Sequence, residues 1–297
     1  MSADHLIRGV TEDGEFRFAA AITTSLSNDA KRRHQTVSGA TQVLSETMTA
    51  VALLGSLLEG DEKISLQITS DGRVKNVLAD IDAKGSIRGF INSEQIYADT
   101  PDMPGGPPPL GMQGTIMVMR STPAKLLQRG TVPLVQGDIA SDVANYLTVS
   151  EQRACGMAIR SSIASDWSVA DAGGILIEAL PGASQEKLDG YRRVLAAPAL
   201  RARVLESVRP EDMVETLMNA VEHESPYRIL ARSELRFQCT CSREKVADMI
   251  RGISKEELTK MRDEDGQAEV ICRFCNERYV FDRAELGMML HDFGRPS

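Results

Sequence analysis

The 297-residue sequence predicts an α+β fold: a main domain of mostly antiparallel sheet with helices, a helical linker and a small C-terminal domain. Three observations carry that prediction. The first 180 residues set short strand-like runs, joined by tight-turn pairs, behind one long helical stretch. Residues 181–231 then turn rich in Glu, Arg, Leu and Ala, punctuated by Pro181, Pro198, Pro210 and Pro226. Four of the five cysteines fall within the last sixty residues. The implied division is 1–180, 181–231 and 232–297, in a chain longer than a single hydrophobic core usually serves.

Each element has its own signal. Gly14 to Ile22 reads as an opening strand. Val37, Ala40, Leu44, Thr47, Val51, Leu54 and Leu58 recur at three- and four-residue spacing, which predicts an amphipathic helix over 35–58. Lys63–Thr69 alternates polar and apolar, Asp71-Gly72 is a hairpin signal, Val74–Asp82 continues, and Lys84-Gly85 turns into Ser86–Ile91. This predicts an antiparallel meander. Pro101–Gly114 cannot form regular structure and reads as a surface loop without an assigned role. Strands near 115–120 and 131–136, a helix over Asp138–Tyr146, and strands near 154–162 and Ala172–Leu180 complete the main domain.

Helices are expected at 184–195, 199–207 and 211–221, and their apolar residues, such as Leu188, Tyr191, Val194, Met213 and Leu217, need a surface to cover them. The segment therefore reads either as a linker folded only while covered, or as an ordinary helical part of the main domain. In the last domain, Ser254 with Glu257 forms a capping box for a helix of about ten residues. Glu264-Asp265-Gly266 turns into a strand over Gln267–Cys272, Asn276–Phe281 returns, and a helix over Asp282–Leu290 ends the pattern.

Composition excludes several roles. Apolar residues at 42% and charged residues at 26% fit a soluble globular chain. A net charge of −8 argues against general attraction to nucleic acid or anionic membrane. The start lacks the basic-then-apolar order of a signal peptide, and the longest apolar run, Met48–Leu58, is too short to span a bilayer. A cytoplasmic protein with reduced thiols is the expectation.

The cysteines read Cys239-Thr-Cys241, thirty residues, then Cys272-Arg-Phe-Cys275. A CxxC on a tight turn brings two sulfurs to one metal, and a bent CxC does the same. Together they make the four-thiolate set that structural zinc prefers. With all four positions supplied by Cys239, Cys241, Cys272 and Cys275, no place remains for substrate, so one structural rather than catalytic Zn2+ is predicted. Arg243, Lys245, Arg273 and Arg278 flank the cysteines and suggest an electropositive, partly exposed site where thiols oxidise readily. Cys155 stands alone and reads as a small core residue. His5, His34, His223 and His291 lie in polar contexts and read as solvated residues, not ligands.

Two rival functions fit less well. A zinc-ribbon nucleic-acid binder needs concentrated positive charge, yet Arg232–Glu285 holds eleven Lys/Arg against twelve Asp/Glu. A dithiol oxidoreductase wants its CxxC at a helix start beside a βαβ unit, whereas this one falls between two predicted strands.

The residues resemble a family, the thirty-three-kilodalton redox-regulated heat-shock holdases. The likeness is most specific in Phe237–Val246 (FQCTCSREKV), Val270–Cys275 (VICRFC) and Asn276–Phe281 (NERYVF). It extends to Gly130–Val135 (GTVPLV), Tyr146–Gln152 (YLTVSEQ), Ala172–Ile177 (AGGILI) and Leu180–Ala183 (LPGA) in the main domain. The resemblance implies an ATP-independent chaperone, not an enzyme, that is zinc-bound and inactive when reduced. It further implies that hypochlorous acid, or peroxide with heat, converts the ligands into two disulfides, Cys239–Cys241 and Cys272–Cys275. Zinc then leaves, the switch domain and linker unfold, and the chain dimerises and captures unfolding client proteins. Cys155 is not part of the shared pattern. Client-contacting residues stay unknown, with the linker helices and the sheet face of the main domain both candidates.

Overall fold

The computed structural model describes residues 3–92, 109–221 and 226–291, and the chain divides into two compact units, 1–238 and 239–297. The fold is α+β, as the sequence predicts. His223 and residues 101–108 of the Pro/Gly-rich segment lie outside the described residues.

Unit 1 holds two sheets. In the first, β1 (His5–Thr11), β2 (Phe16–Ile22), β8 (Cys155–Ile163), β9 (Val169–Ala179) and β10 (Tyr227–Glu234) run in the order β10-β1-β2-β9-β8, every pair antiparallel. The second joins β3 (Lys63–Ser70), β4 (Asn76–Asp82), β5 (Ser86–Asn92), β6 (Gly114–Ser121), β7 (Leu126–Pro133) and the short β11 (Arg236–Phe237). Its order is β11-β5-β4-β3-β6-β7, antiparallel except for β11 beside β5. The predicted meander is β3-β4-β5. Beyond it, β7 begins earlier than the expected 131–136, because Thr122 N–H donates to Lys125 O across a turn containing Pro123 and closes a hairpin with β6.

Helix α2 (Ser38–Leu54) packs against strands of both sheets, including β4 and β5 of one and β8 and β9 of the other. Sequence periodicity predicts an amphipathic helix. The structure instead buries it almost all round, and this accounts for its small side chains, Ala40, Ala50 and Ala52. Two of its buried hydroxyls bond their own backbone, which offsets the cost of burying them: Thr47 donates to Val43 O at 2.7 Å and Thr49 to Ser45 O at 2.9 Å.

Helix α1 (Thr24–His34) carries no local cap to announce it. Asp4, ahead of β1, accepts from Ser25 N–H at 3.0 Å and Leu26 N–H at 2.6 Å, a cap supplied across the fold. Strand β10 likewise pairs with β1 in a stretch the sequence reading split between linker and C-terminal domain. Helix α3 (Ile139–Ser150) starts on Asp138, whose carboxylate accepts from Ser141 N–H at 2.8 Å.

Helices α4 (Gln185–Ala196), α5 (Pro198–Leu205) and α6 (Pro210–Asn219) follow the three expected spans closely. Ser184 caps α4, and proline opens both α5 and α6, where its missing N–H costs nothing. Their apolar faces cover Phe16, Phe18, Ile175 and Ile177 of the first sheet, with Tyr191 edge-on to Phe16 at 5.2 Å between ring centroids. Lys187 ties α4 to the β1–β2 turn through Asp13 at 2.7 Å and Glu15 at 2.6 Å. Burial would raise the Asp13 carboxyl, but hydrogen bonds from Lys187, Thr11 and the Glu15 N–H hold it near 2.

Unit 2 is small. It contains α7 (Arg243–Arg251), α8 (Lys255–Lys260), a π-helical turn over 261–265, the hairpin β12 (Gln267–Ile271) and β13 (Arg278–Asp282), and α9 (Arg283–His291). The expected ten-residue helix after Ser254 becomes α8 plus the π turn, stopped by Gly266 at φ 74°. Phe281, Leu258 and Leu286 centre its core.

Candidate metal centre

Two local structures build the site. Cys239-Thr240-Cys241 runs directly into Ser242, the N-cap of α7, whose hydroxyl accepts from Lys245 N–H at 3.3 Å. Lys245 Nζ returns to Thr240 O at 2.6 Å, which fixes the bend between the two cysteines. The second pair sits at the tip of the β12–β13 hairpin. Cys272 N–H donates to Glu277 O at 2.9 Å and Asn276 N–H to Cys272 O at 2.8 Å. Asn276 adopts φ 56°, a left-handed turn that asparagine tolerates better than most residues. The result is a zinc-knuckle type of turn.

These elements bring the four sulfurs together, all within 4.8 Å of one another, in an arrangement that could hold a metal ion. Two close separations run between the pairs: Cys241 Sγ to Cys275 Sγ is 3.3 Å and Cys239 Sγ to Cys272 Sγ is 3.7 Å. A tetrahedron with metal–sulfur bonds of about 2.3 Å has edges of about 3.8 Å, so the donor set fits a four-thiolate zinc site. Cys275 is buried, and the other three are half-buried.

Two of the four flanking basic residues, Arg243 and Arg278, are paired with carboxylates. Arg243 lies 4.4 Å over the Phe281 ring and pairs with Glu285 at 2.7 Å, while Arg278 pairs with Glu269 at 2.5 Å. Their charge is spent on acidic partners, fixing α7 and β12 in place. A contact absent from the sequence reading is Tyr279, whose hydroxyl donates to Cys241 Sγ at 3.2 Å. Its place in the strand after the CxxC was the only available signal. Burial raises the thiols of Cys241 and Cys275. It acts on Cys239 too, but there hydrogen bonds led by the Cys241 N–H outweigh it and lower the thiol.

The remaining candidates stand apart. Cys155 is buried in unit 1, and burial first, then the charge of Glu178, pushes its thiol up to about 12. His5 is buried rather than solvated, with Nδ1 2.9 Å from Ala3 O and Nε2 3.5 Å from Glu211. His34 Nε2 lies 2.9 Å from Gly89 O, and His291 is exposed at the end of α9. Among the described residues no helix is long and apolar enough to cross a membrane.

Comparison with known proteins agrees along the whole chain. The family model described as Hsp33 protein matches residues 4–282. The 33 kDa chaperonin of Desulforamulus reducens is 35% identical over 291 residues, covering 97% of both chains. That of Bacillus subtilis is 32% identical over 286 residues, covering 95% of this chain and 97% of the relative. The crystal structure of the 33 kDa chaperonin from Thermotoga maritima superposes with a TM-score of 0.85 at 28% identity, covering 98% of each chain. With a family match over nearly all its residues and relatives named as chaperonins rather than enzymes, the chain belongs to the Hsp33 family of chaperones.

Proposed function

We propose that the chain is a cytoplasmic, redox-regulated, ATP-independent holdase: inactive while reduced and zinc-bound, and active toward unfolding client proteins once its four clustered cysteines are oxidised. The observation that carries this reading is the four-sulfur cluster in a chain of this family. On this reading residues 1–180 form the chaperone domain, 181–231 the linker and 232–297 the switch.

In the resting state Cys239, Cys241, Cys272 and Cys275 hold one zinc ion. Bound there, zinc supplies a cross-link between the α7 start and the hairpin tip and no reaction chemistry, since four protein thiolates leave no open position. Oxidation joins Cys239 to Cys241 and Cys272 to Cys275. Each pair gives two electrons to the oxidant, and the sulfurs can no longer hold the metal, which leaves. All four sulfurs are close together in the folded cluster, but neighbours in sequence meet most often once the module loosens, and this favours the local pairings. Such small disulfide loops restrain the unfolded chain only locally, so unit 2 gains little in exchange for the lost cross-link. The linker then unfolds, and oxidised chains pair as homodimers that bind clients.

The test treats the reduced protein with hypochlorous acid and follows zinc release with a chromogenic chelator, while suppression of client aggregation is read without ATP. About one zinc per chain should leave as protection appears, with reductant plus zinc reversing both. Zinc release without any protection would sink the switch reading.

A further inference from the structure

Strand β8 ends the first sheet, so one of its edges has no strand beside it among the described residues. Ala179 N–H donates to Ala154 O, which turns the backbone of residue 154 toward β9. By the alternation of an antiparallel pair, residues 155, 157 and 159 then turn their N–H and C=O groups away from β9, toward the open edge. Two of those carbonyls are taken by linker arginines. Arg192 Nε of α4 donates to Cys155 O at 2.9 Å, and Arg201 Nη2 of α5 donates to Ile159 O at 2.8 Å. The covering is close: a Cβ at Gly156 would lie 3.2 Å from Leu195 and 3.5 Å from Arg192.

Other edges of these sheets are guarded differently. Strand β10 presents Arg228, Arg232 and Glu234 at its edge of the first sheet, and β7 carries Arg129 and Pro133 at its edge of the second, so both stand open to water. Strand β8 has buried Cys155, Gly156, Met157, Ala158 and Ile159 instead, and its edge is closed by helices. Gly156 and Ala158 are small on the linker side, as a strand is where another backbone approaches closely.

We propose that the linker arginines mask β8, and that the activated protein binds an extended segment of an unfolding client as an added strand along this edge. The inference rests on the holdase reading above. The occupant is set by what the edge offers: carbonyls alternating with N–H groups, which Arg192 and Arg201 satisfy only as donors and only in part. An extended peptide supplies both donors and acceptors at the spacing of β8, whatever its sequence, as a chaperone of many clients requires. Its alternate apolar side chains would extend the two faces of the sheet, one toward α3 and one over the surface vacated by α4.

The experiment is hydrogen exchange of the full chain, read at the amides of Met157 and Ile159. Three states are compared: reduced and zinc-loaded, oxidised, and oxidised with a permanently unfolded, reduced and alkylated polypeptide. Exchange should rise by at least about tenfold on oxidation and fall by a similar factor when the polypeptide is held. The reduced double variant R192M/R201M, which keeps the apolar stems, should show faster exchange at both amides without oxidation. A stable complex that leaves both amides unprotected overturns the inference while the holdase reading stands. Protection that grows with protein concentration in the absence of the polypeptide would place a second copy on the edge and also overturn it. An oxidised chain that holds no polypeptide overturns both.

Discussion

The two units bury their cores on different scales. Unit 1 wraps two sheets around α2 and lays α4–α6 over the outside of one of them, so two extensive apolar clusters support each other. Unit 2 centres on a cluster of eight buried apolar side chains among its described residues, two of them only alanines, Ala247 and Ala268. A core of that size does not carry a domain alone, and modules like it depend on a metal or disulfides. The comparison teaches where a switch can be placed. Oxidising four cysteines in unit 1 would barely change its balance of burial, whereas in unit 2, on the proposed reading, the metal they bind would hold what the core cannot.

The strongest way to break this comparison is to deny the four cysteines the proposed metal. Structural zinc is worth about 10–16 kcal/mol in small peptides, more than the whole stability of many domains. Chelation under reducing conditions, or Cys272→Ser, should therefore erase amide protection across 239–291 while the strands of unit 1 stay protected. Persisting protection in unit 2 would show that its core suffices.

Next comes a matched pair of core truncations. Phe281→Ala and Leu44→Ala each empty a fully buried position, at about 3–5 kcal/mol and 2–5 kcal/mol. Thermal unfolding of the reduced protein should separate into two transitions for Phe281→Ala, with unit 2 melting first and aggregation suppressed without oxidant. Leu44→Ala should lower the main transition and leave the resting protein inactive. Equal behaviour of the two variants would remove the asymmetry.

A smaller effect concerns the helix between the sheets. Burial raises the Glu46 carboxyl to about 7, with Asp138 adding and Gln42 and Arg201 opposing. The folded state thus holds its proton more tightly than the unfolded chain, so stability falls as pH rises from about 4.5 to 7. Glu46→Gln should flatten that fall and stabilise unit 1 by about 1–3 kcal/mol at pH 8, as denaturant titration would read. A pH profile unchanged by the substitution would contradict the burial argument.

The smallest effect sharpens the reading of unit 2. Tyr279→Phe removes the hydroxyl donated to Cys241 Sγ, a bond worth about 1 kcal/mol. Without that donor the sulfur is a freer nucleophile, and oxidation by peroxide should run a few-fold faster, measured by mass spectrometry of trapped thiols. An unaltered rate would assign Tyr279 to packing alone.

Much of the fold was legible because its signals are local. The meander from Lys63 to Asn92 follows from alternation and two glycine turns, and α4–α6 follow from Ser184, Pro198 and Pro210. The cysteine cluster was legible for the same reason, since CxC and CxxC each fix their own geometry and need only be brought together. Helix α7 has a weaker local signal, because Ser242 caps it but Lys245 stands where a capping box carries Glu or Gln. Helix α1 gave no local sign at all, its cap being Asp4.

By itself the sequence determined most of the element types, the pairing of the cysteines into CxC and CxxC, and the family resemblance, because propensity, turn chemistry and thiol spacing act over a few residues. Tertiary structure alone decided that α2 is buried on nearly every side, that Tyr279 reaches Cys241, and that Arg192 and Arg201 close the edge of β8. Each of these depends on which surfaces meet across tens of residues of chain, and no short-range pattern encodes such a meeting.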